Sequence, residues 1–137
     1  MANISNYLED KILDTVMKNG NVEWLPETVY AGLVTTTAAD ADLEAGTLTN
    51  EVTDYTGDRK AINFGDIAQV GGKATVSNSN VLEFEDMPEA TIGYLIICDA
   101  ATGSNILWWC PVVGDPKTTN AGDTFRVPIG DLVIDLD

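Results

Sequence analysis

Residues 90–113, with the sequence ATIGYLIICDAATGSNILWWCPVV, decide the fold of this chain. Two apolar runs, 92–98 and 106–110, flank a segment that contains the turn formers Asp99, Gly103 and Asn105. Two β-prone runs on either side of a glycine-containing loop are typical of a β-hairpin. Because both runs are apolar at consecutive positions, we expect two central strands that are covered on both faces.

Outward from this hairpin, short β-prone segments alternate with turn signals. We expect strands over about 28–37, 59–64, 73–77, 81–84 and 124–127, and another near the end of the chain. Short strands at this spacing are typical of two packed antiparallel sheets. The predicted fold is therefore mainly β, an antiparallel β-sandwich or jelly roll with one short N-terminal amphipathic helix.

That helix is predicted over about residues 5–18. Ser5 or Asn6 can cap its N-terminus, and Asn19-Gly20 ends it. A helix this short needs a surface to dock on, either the sheet of its own chain or a neighbouring subunit. We predict a helical arm over residues 1–22 and a β-sandwich domain over 23–137. Apolar side chains recur every four residues on one stripe of the helix, at Ile4, Leu8, Ile12 and Val16.

The segment 38–46 carries three acids at alternate positions, Asp40, Asp42 and Glu44. This spacing resembles the start of a calcium loop, but the glycine at the sixth position and the glutamate at the twelfth are missing. The pattern therefore predicts a solvated acidic loop.

The charge balance limits the classes of partner. The chain has 22 acidic and 7 basic residues and a formal net charge of −15. Such a charge repels phosphate, so we expect neither nucleic-acid binding nor binding to an anionic membrane. The N-terminus has no basic n-region and no apolar h-region of a signal peptide, and we expect synthesis in a cytosol.

Residues for catalysis or cofactor binding are scarce in the sequence. It has no histidine, no nucleotide-binding glycine motif and no assembled nucleophile pattern, and two cysteines without histidine do not form a zinc site. We predict a protein that is not an enzyme and needs no cofactor or metal. Cys98 and Cys110 are offset on the two hairpin arms, so we expect two reduced, buried thiols.

Three tryptophans are candidate contact residues. Trp108 and Trp109 are adjacent on one predicted strand, so they point to opposite faces. An exposed ring there could stack on a sugar or anchor a protein interface, or both rings could be buried. Together with the helix stripe and Trp24, they form the candidate interface set of Ile4, Leu8, Ile12, Val16, Trp24, Trp108 and Trp109.

Four phrases carry a resemblance to a known family. They are NYLEDKILDTVM (6–17), ETVYAGLVTTTAADAD (27–42), the run from KATVSNSN to ILWW (73–109), and KTTNAGDTFRVPIGDLVIDLD (117–137). The chain resembles small virion structural proteins of tailed bacteriophages, described as tail-fibre-like or as head-decoration (cement) proteins. The resemblance implies a virion component with a β-sandwich fold and no enzymatic activity.

We therefore expect a capsid decoration or cement protein that is made in the host cytoplasm and binds the outer shell of the head. The alternative is a tail-fibre or tail adaptor module, one that could bind a host surface glycan. The expected partners are the major capsid protein or other virion proteins, and further copies of the chain in a dimer or trimer. Many copies on one particle would multiply modest contacts.

Overall fold

The computed structural model describes residues 2–112 and 116–136, so Val113 of the hairpin stretch lies outside the described residues, as do Met1 and Asp137. Within these described residues there are two helices, α1 (Asn6–Met17) and α2 (Asp40–Glu44). The strands are β1 (Asn3–Ile4), β2 (Val29–Thr35), β3 (Glu51–Val52), β4 (Lys60–Ile62), β5 (Ala68–Val70), β6 (Lys73–Ser77), β7 (Leu82–Met87), β8 (Ala90–Cys98), β9 (Ile106–Pro111), β10 (Lys117–Thr119), β11 (Asp123–Val127) and β12 (Val133–Leu136).

The predicted central hairpin is confirmed as β8 and β9, which pair antiparallel around the loop 99–105. Leu95 lies opposite Cys110, and a register shift at the loop end places Cys98 opposite Ile106. The two cysteines are therefore not cross-strand partners, and both are free thiols. Their offset explains why no disulfide closes this hairpin.

The hairpin lies at the centre of a seven-stranded antiparallel sheet. Its strand order is β1-β9-β8-β2-β3, with β10 paired to β8 and β4 paired to β2. Strands β9 and β10 lie along one side of β8, and β2 lies along the other. Every backbone group of the middle of β8 therefore has a neighbouring strand to bond to, which suits a strand whose residues are mostly buried.

Both faces of this large sheet are covered. Leu33, Leu95 and Ile97 belong to a core that includes residues of β7 and β12. Their chain neighbours Val34 and Ile96 belong to a second core, on the opposite face because strand side chains alternate. The prediction that the central strands are covered from two sides is confirmed.

Two smaller antiparallel sheets, β7-β11 and β12-β6-β5, form the layer against the first core. Leu82 and Phe84 from β7 and Ile134 from β12 are all buried there. The predicted fold class is confirmed, since the chain is mainly β with antiparallel, sandwich-like sheets and one short N-terminal helix.

The second core shows where the sequence interpretation was wrong. The segment 38–46 is not simply a solvated loop, because it contains the five-residue helix α2. The carboxylate of Asp42 accepts a hydrogen bond from the backbone N–H of Ala39 at 3.0 Å, which stabilises the first turn. Leu43 is fully buried against the sheet. Asp40 and Glu44 lie on the outside of a helix whose Leu43 covers the core.

Candidate attachment surface

The N-terminal segment is joined to the large sheet at β9. Strand β1 pairs with β9, with Ile4 opposite Trp108. Ser5 is completely buried, and its hydroxyl donates to the carbonyl of Ile106. The same oxygen accepts from the backbone N–H of Leu8 at 3.3 Å, so Ser5 is the N-cap of α1, as predicted. The division into an arm (1–22) and a sandwich domain (23–137) stays a prediction.

Helix α1 contacts its own sheet mainly near its N-terminus. Of the predicted stripe, Leu8 is 7% exposed, while Ile4 and Ile12 are half-buried. Val16 is 67% exposed. The stripe is therefore not one continuous interface, because its first half is covered by the same chain and its last residue is free for contact in this protomer. Docking on the parent sheet accounts for the first turns of the helix only.

The second half of α1 exposes more apolar side chains than the predicted stripe contains. Leu13 and Met17 are 55% and 74% exposed, and they lie with Val16 at positions i, i+3 and i+4 of one helix face. Val22 and Leu25, in the segment after the helix, are 54% and 55% exposed. We call these five residues the α1 surface, defined as Leu13, Val16, Met17, Val22 and Leu25.

The segment after α1 folds back onto the helix through hydrogen bonds. Asn19 has a φ of 58°, and the N–H of Gly20 donates to the carbonyl of Asp14 at 3.0 Å, which ends the helix. The indole N–H of Trp24 donates to the hydroxyl of Thr15 at 2.9 Å. Trp24 is half-buried and contributes to the local order of this turn. Its predicted part in an interface stays a prediction.

The two hairpin tryptophans have different environments, as predicted. Trp109 is 5% exposed in the second core, with its ring edge-on to Tyr94 at a centroid distance of 6.1 Å. Trp108 is half-buried on the other face, in a groove of about 250 Å³ that Val76 and Ile134 also line. Neither ring is the fully exposed platform that sugar stacking requires. A part for either ring in a protein interface stays a prediction.

A buried ion pair, missed in the sequence, holds the hairpin loop. The guanidinium of Arg59 donates to both carboxylate oxygens of Glu51, at 2.6 and 2.8 Å, and both side chains are less than 10% exposed. Arg59 also donates to the carbonyls of Ala100 and Gly103, at 2.9 and 2.7 Å. Gly32 makes room for the pair, because a Cβ there would lie 2.8 Å from the Glu51 carboxylate.

The two hairpin thiols are neutral in the folded protein near neutral pH. Burial raises the pKa of the Cys98 thiol to about 12 and that of Cys110 to about 11, so both thiols are neutral near pH 7. Within residues 2–112 and 116–136 no three side chains of the metal-binding types are grouped as a metal site. In the same residues, neither helix has the length and apolar character needed to cross a membrane.

The chain was compared with known protein families and with curated proteins. A family described as "Podophage GP4 fiber I protein gp80" matches residues 3–135, which is nearly the whole chain. No curated protein matches the sequence significantly. The family match confirms the predicted resemblance to virion proteins of tailed phages, which rested on phrases that shape the helix and strands. The chain belongs to the podophage GP4 fiber I protein gp80 family and is a phage virion structural protein.

Proposed function

We propose that this chain is a non-enzymatic decoration or cement protein that binds the outer shell of the phage head and stabilises it. The observation that supports a place on the outside of the head is the net charge of −15 on a virion protein of this size. Packaged DNA fills the interior of a head, and its phosphates repel a surface of this charge. The outside of the shell imposes no such penalty, and there strong acidity keeps a many-copy protein soluble before assembly.

The proposed partners are the major capsid protein or another virion protein, together with further copies of the chain in a dimer or trimer. Acidic side chains would steer the chain towards a neutral or basic partner surface. Many attachment points on one particle would let modest contacts hold the shell together through avidity.

A second candidate is favoured by the family description, which names a fibre without stating where on the particle it attaches. In this alternative the chain is a tail-fibre or tail adaptor module.

Particles from a phage that cannot make this protein test the proposal against the alternative. The cement function predicts that packaged DNA escapes at a lower temperature from these particles than from complete ones, and that adding the purified protein restores the release temperature. It also predicts hundreds of copies on each complete particle, counted by quantitative gel. Equal release temperatures, a handful of copies and reduced adsorption to host cells would instead support the fibre or adaptor module.

A further inference from the structure

Half of the exposed large apolar side chains of the described residues lie in one short segment of the chain. Among the described residues, ten large apolar side chains are exposed, and five of these form the α1 surface within residues 13–25. Single exposed apolar residues are normal on soluble proteins, but a concentration on one helix face and its flanking turn marks a contact surface. Its own chain fully buries the helix only at Leu8, next to the buried cap Ser5, and partly covers Ile12.

The α1 surface is ordered before any partner binds. Trp24 donates to Thr15, and the N–H of Leu25 donates to the carbonyl of Val22 at 3.0 Å. The helix itself is tied to β9 through Ser5. A surface held by hydrogen bonds in the free protein loses little conformational freedom on binding, which favours affinity.

The charges beside this surface indicate the chemistry of its partner. The solvent-facing positions of α1 include Glu9, Asp10 and Asp14, and Glu23 follows in the turn. Lys18 lies 3.9 Å from the Asp14 carboxylate and offsets only part of this charge. A second copy docked through the same surface would bring the same acids to the interface, so like charges would face each other there. A partner with an apolar groove and basic side chains at its rim complements both features.

We propose that the α1 surface docks into an apolar, basic-rimmed groove of a different virion protein, and that it is not the contact between copies of this chain. This rests on the proposed function, which places the chain on the outside of a particle. The helix would insert Leu13, Val16 and Met17 as anchors, while Asp10 faces basic side chains of the partner.

The test measures binding of purified full-length variants to particles from a phage that cannot make this protein. Leu13→Ser with Met17→Ser should weaken binding at least about tenfold, because two central anchors are lost. The matched control is Ile67→Ser with Val70→Ser, which alters two comparably exposed apolar residues, one just before β5 and one at its end, and should bind like the wild type. Thermal melts should show that both variants are folded.

A charge reversal separates the two possible occupants. Asp10→Lys should slow association with the particles and should not cause two copies to associate through the α1 surface. Asp66→Lys changes the net charge by the same amount and should slow association less. If sedimentation instead shows self-association that Leu13→Ser with Met17→Ser abolishes, the occupant is a second copy and the inference is wrong.

Two further outcomes distinguish this inference from the proposed function. If the wild type binds the particles and the Leu13→Ser, Met17→Ser variant binds equally well, only the assignment of the α1 surface is overturned. If the wild type does not bind the particles at all, the outer-shell function and the docking inference both fail.

Discussion

In the β8–β9 hairpin, Ile96 and Ile97 point to opposite faces of the sheet and both are at most 2% exposed, whereas in helix α1 Leu8 is 7% exposed and Met17 is 74% exposed. The hairpin is buried on two sides because α2 covers one face and the small sheets cover the other. The main contact of the helix with the sheet is to β9, near the N-terminus of the helix. Apolar residues in the hairpin therefore support folding, and those at the end of the helix are available to a partner.

The largest expected effect comes from the buried tryptophan of the hairpin. Trp109→Ala should lower the free energy of unfolding by about 3–5 kcal/mol, because it leaves a cavity in the second core. Trp108→Ala should cost roughly half as much, since its ring is half-buried. Chemical denaturation of both variants measures the difference, and equal losses would mean that the two faces are equally packed.

A matched variant separates packing from hydrogen bonding at Trp109. Its indole N–H is buried without a hydrogen-bond partner among the described residues. Trp109→Phe removes that N–H and keeps a ring against Tyr94, so its loss should be well below that of Trp109→Ala. If Trp109→Phe lowers the free energy of unfolding as much as Trp109→Ala does, the packing explanation is wrong.

The next effect concerns the ion pair under the hairpin loop. Glu51→Gln should destabilise the protein by about 3 kcal/mol, because it leaves the buried Arg59 guanidinium without its counter-charge. The control is Glu83→Gln, which breaks the Glu83–Arg126 pair, 3.6 Å apart and more than 40% exposed on both sides. That change should cost less than about 0.5 kcal/mol. Similar losses in urea titrations of the two variants would show that burial does not decide the strength of these pairs.

A smaller effect is expected where the helix joins the sheet. Ser5→Ala should cost about 1–2 kcal/mol, because it removes the N-cap of α1 and the hydrogen bond to the Ile106 carbonyl. Hydrogen exchange should rise in α1 more than in β8. Ser79→Ala removes an exposed hydroxyl that donates to the Asn63 carbonyl and serves as the control. A loss no greater than that of the control would mean that Ser5 does not hold the helix.

The smallest effect per side chain is a pH dependence from the hairpin thiols. Burial raises the folded pKa of Cys98 to about 12 and of Cys110 to about 11, from an unfolded value of 9.0. The contribution of the two neutral thiols to folding stability is complete below pH 9. It is lost as the pH rises towards the pKa values of the folded protein, because the thiols of the unfolded chain release their protons first. At pH 10 the loss should be about 1 kcal/mol per thiol. The variant with Cys98→Ala and Cys110→Ala should lose less stability between pH 8 and pH 10 than the wild type. Parallel curves of stability against pH for the variant and the wild type would exclude the thiols as the cause of the pH dependence.

The comparison also shows which features local sequence can predict. The hairpin, the Ser5 cap and the strand over 73–77 follow from propensities and turn residues within a few positions of each other. Asn78 is different, since it looks like a turn residue but is 1% exposed. Its side chain accepts hydrogen bonds from the N–H groups of Gly130 and Leu132, and donates to the carbonyl of Pro128. The residues near Asn78 in the sequence do not identify these hydrogen-bond partners, which lie about 50 positions further along the chain.

By itself the sequence determined the mainly β class, the central hairpin, the capped helix, the acidic charge and the resemblance to phage virion proteins. These depend on side-chain type, spacing and composition, which are properties of short segments or of the whole chain. The tertiary structure alone decided that Leu8 is buried while Leu13, Val16 and Met17 are exposed, and that Arg59 pairs with Glu51 beneath the loop 99–105. Burial depends on which distant elements pack together, and β9 reaches only the first turns of α1.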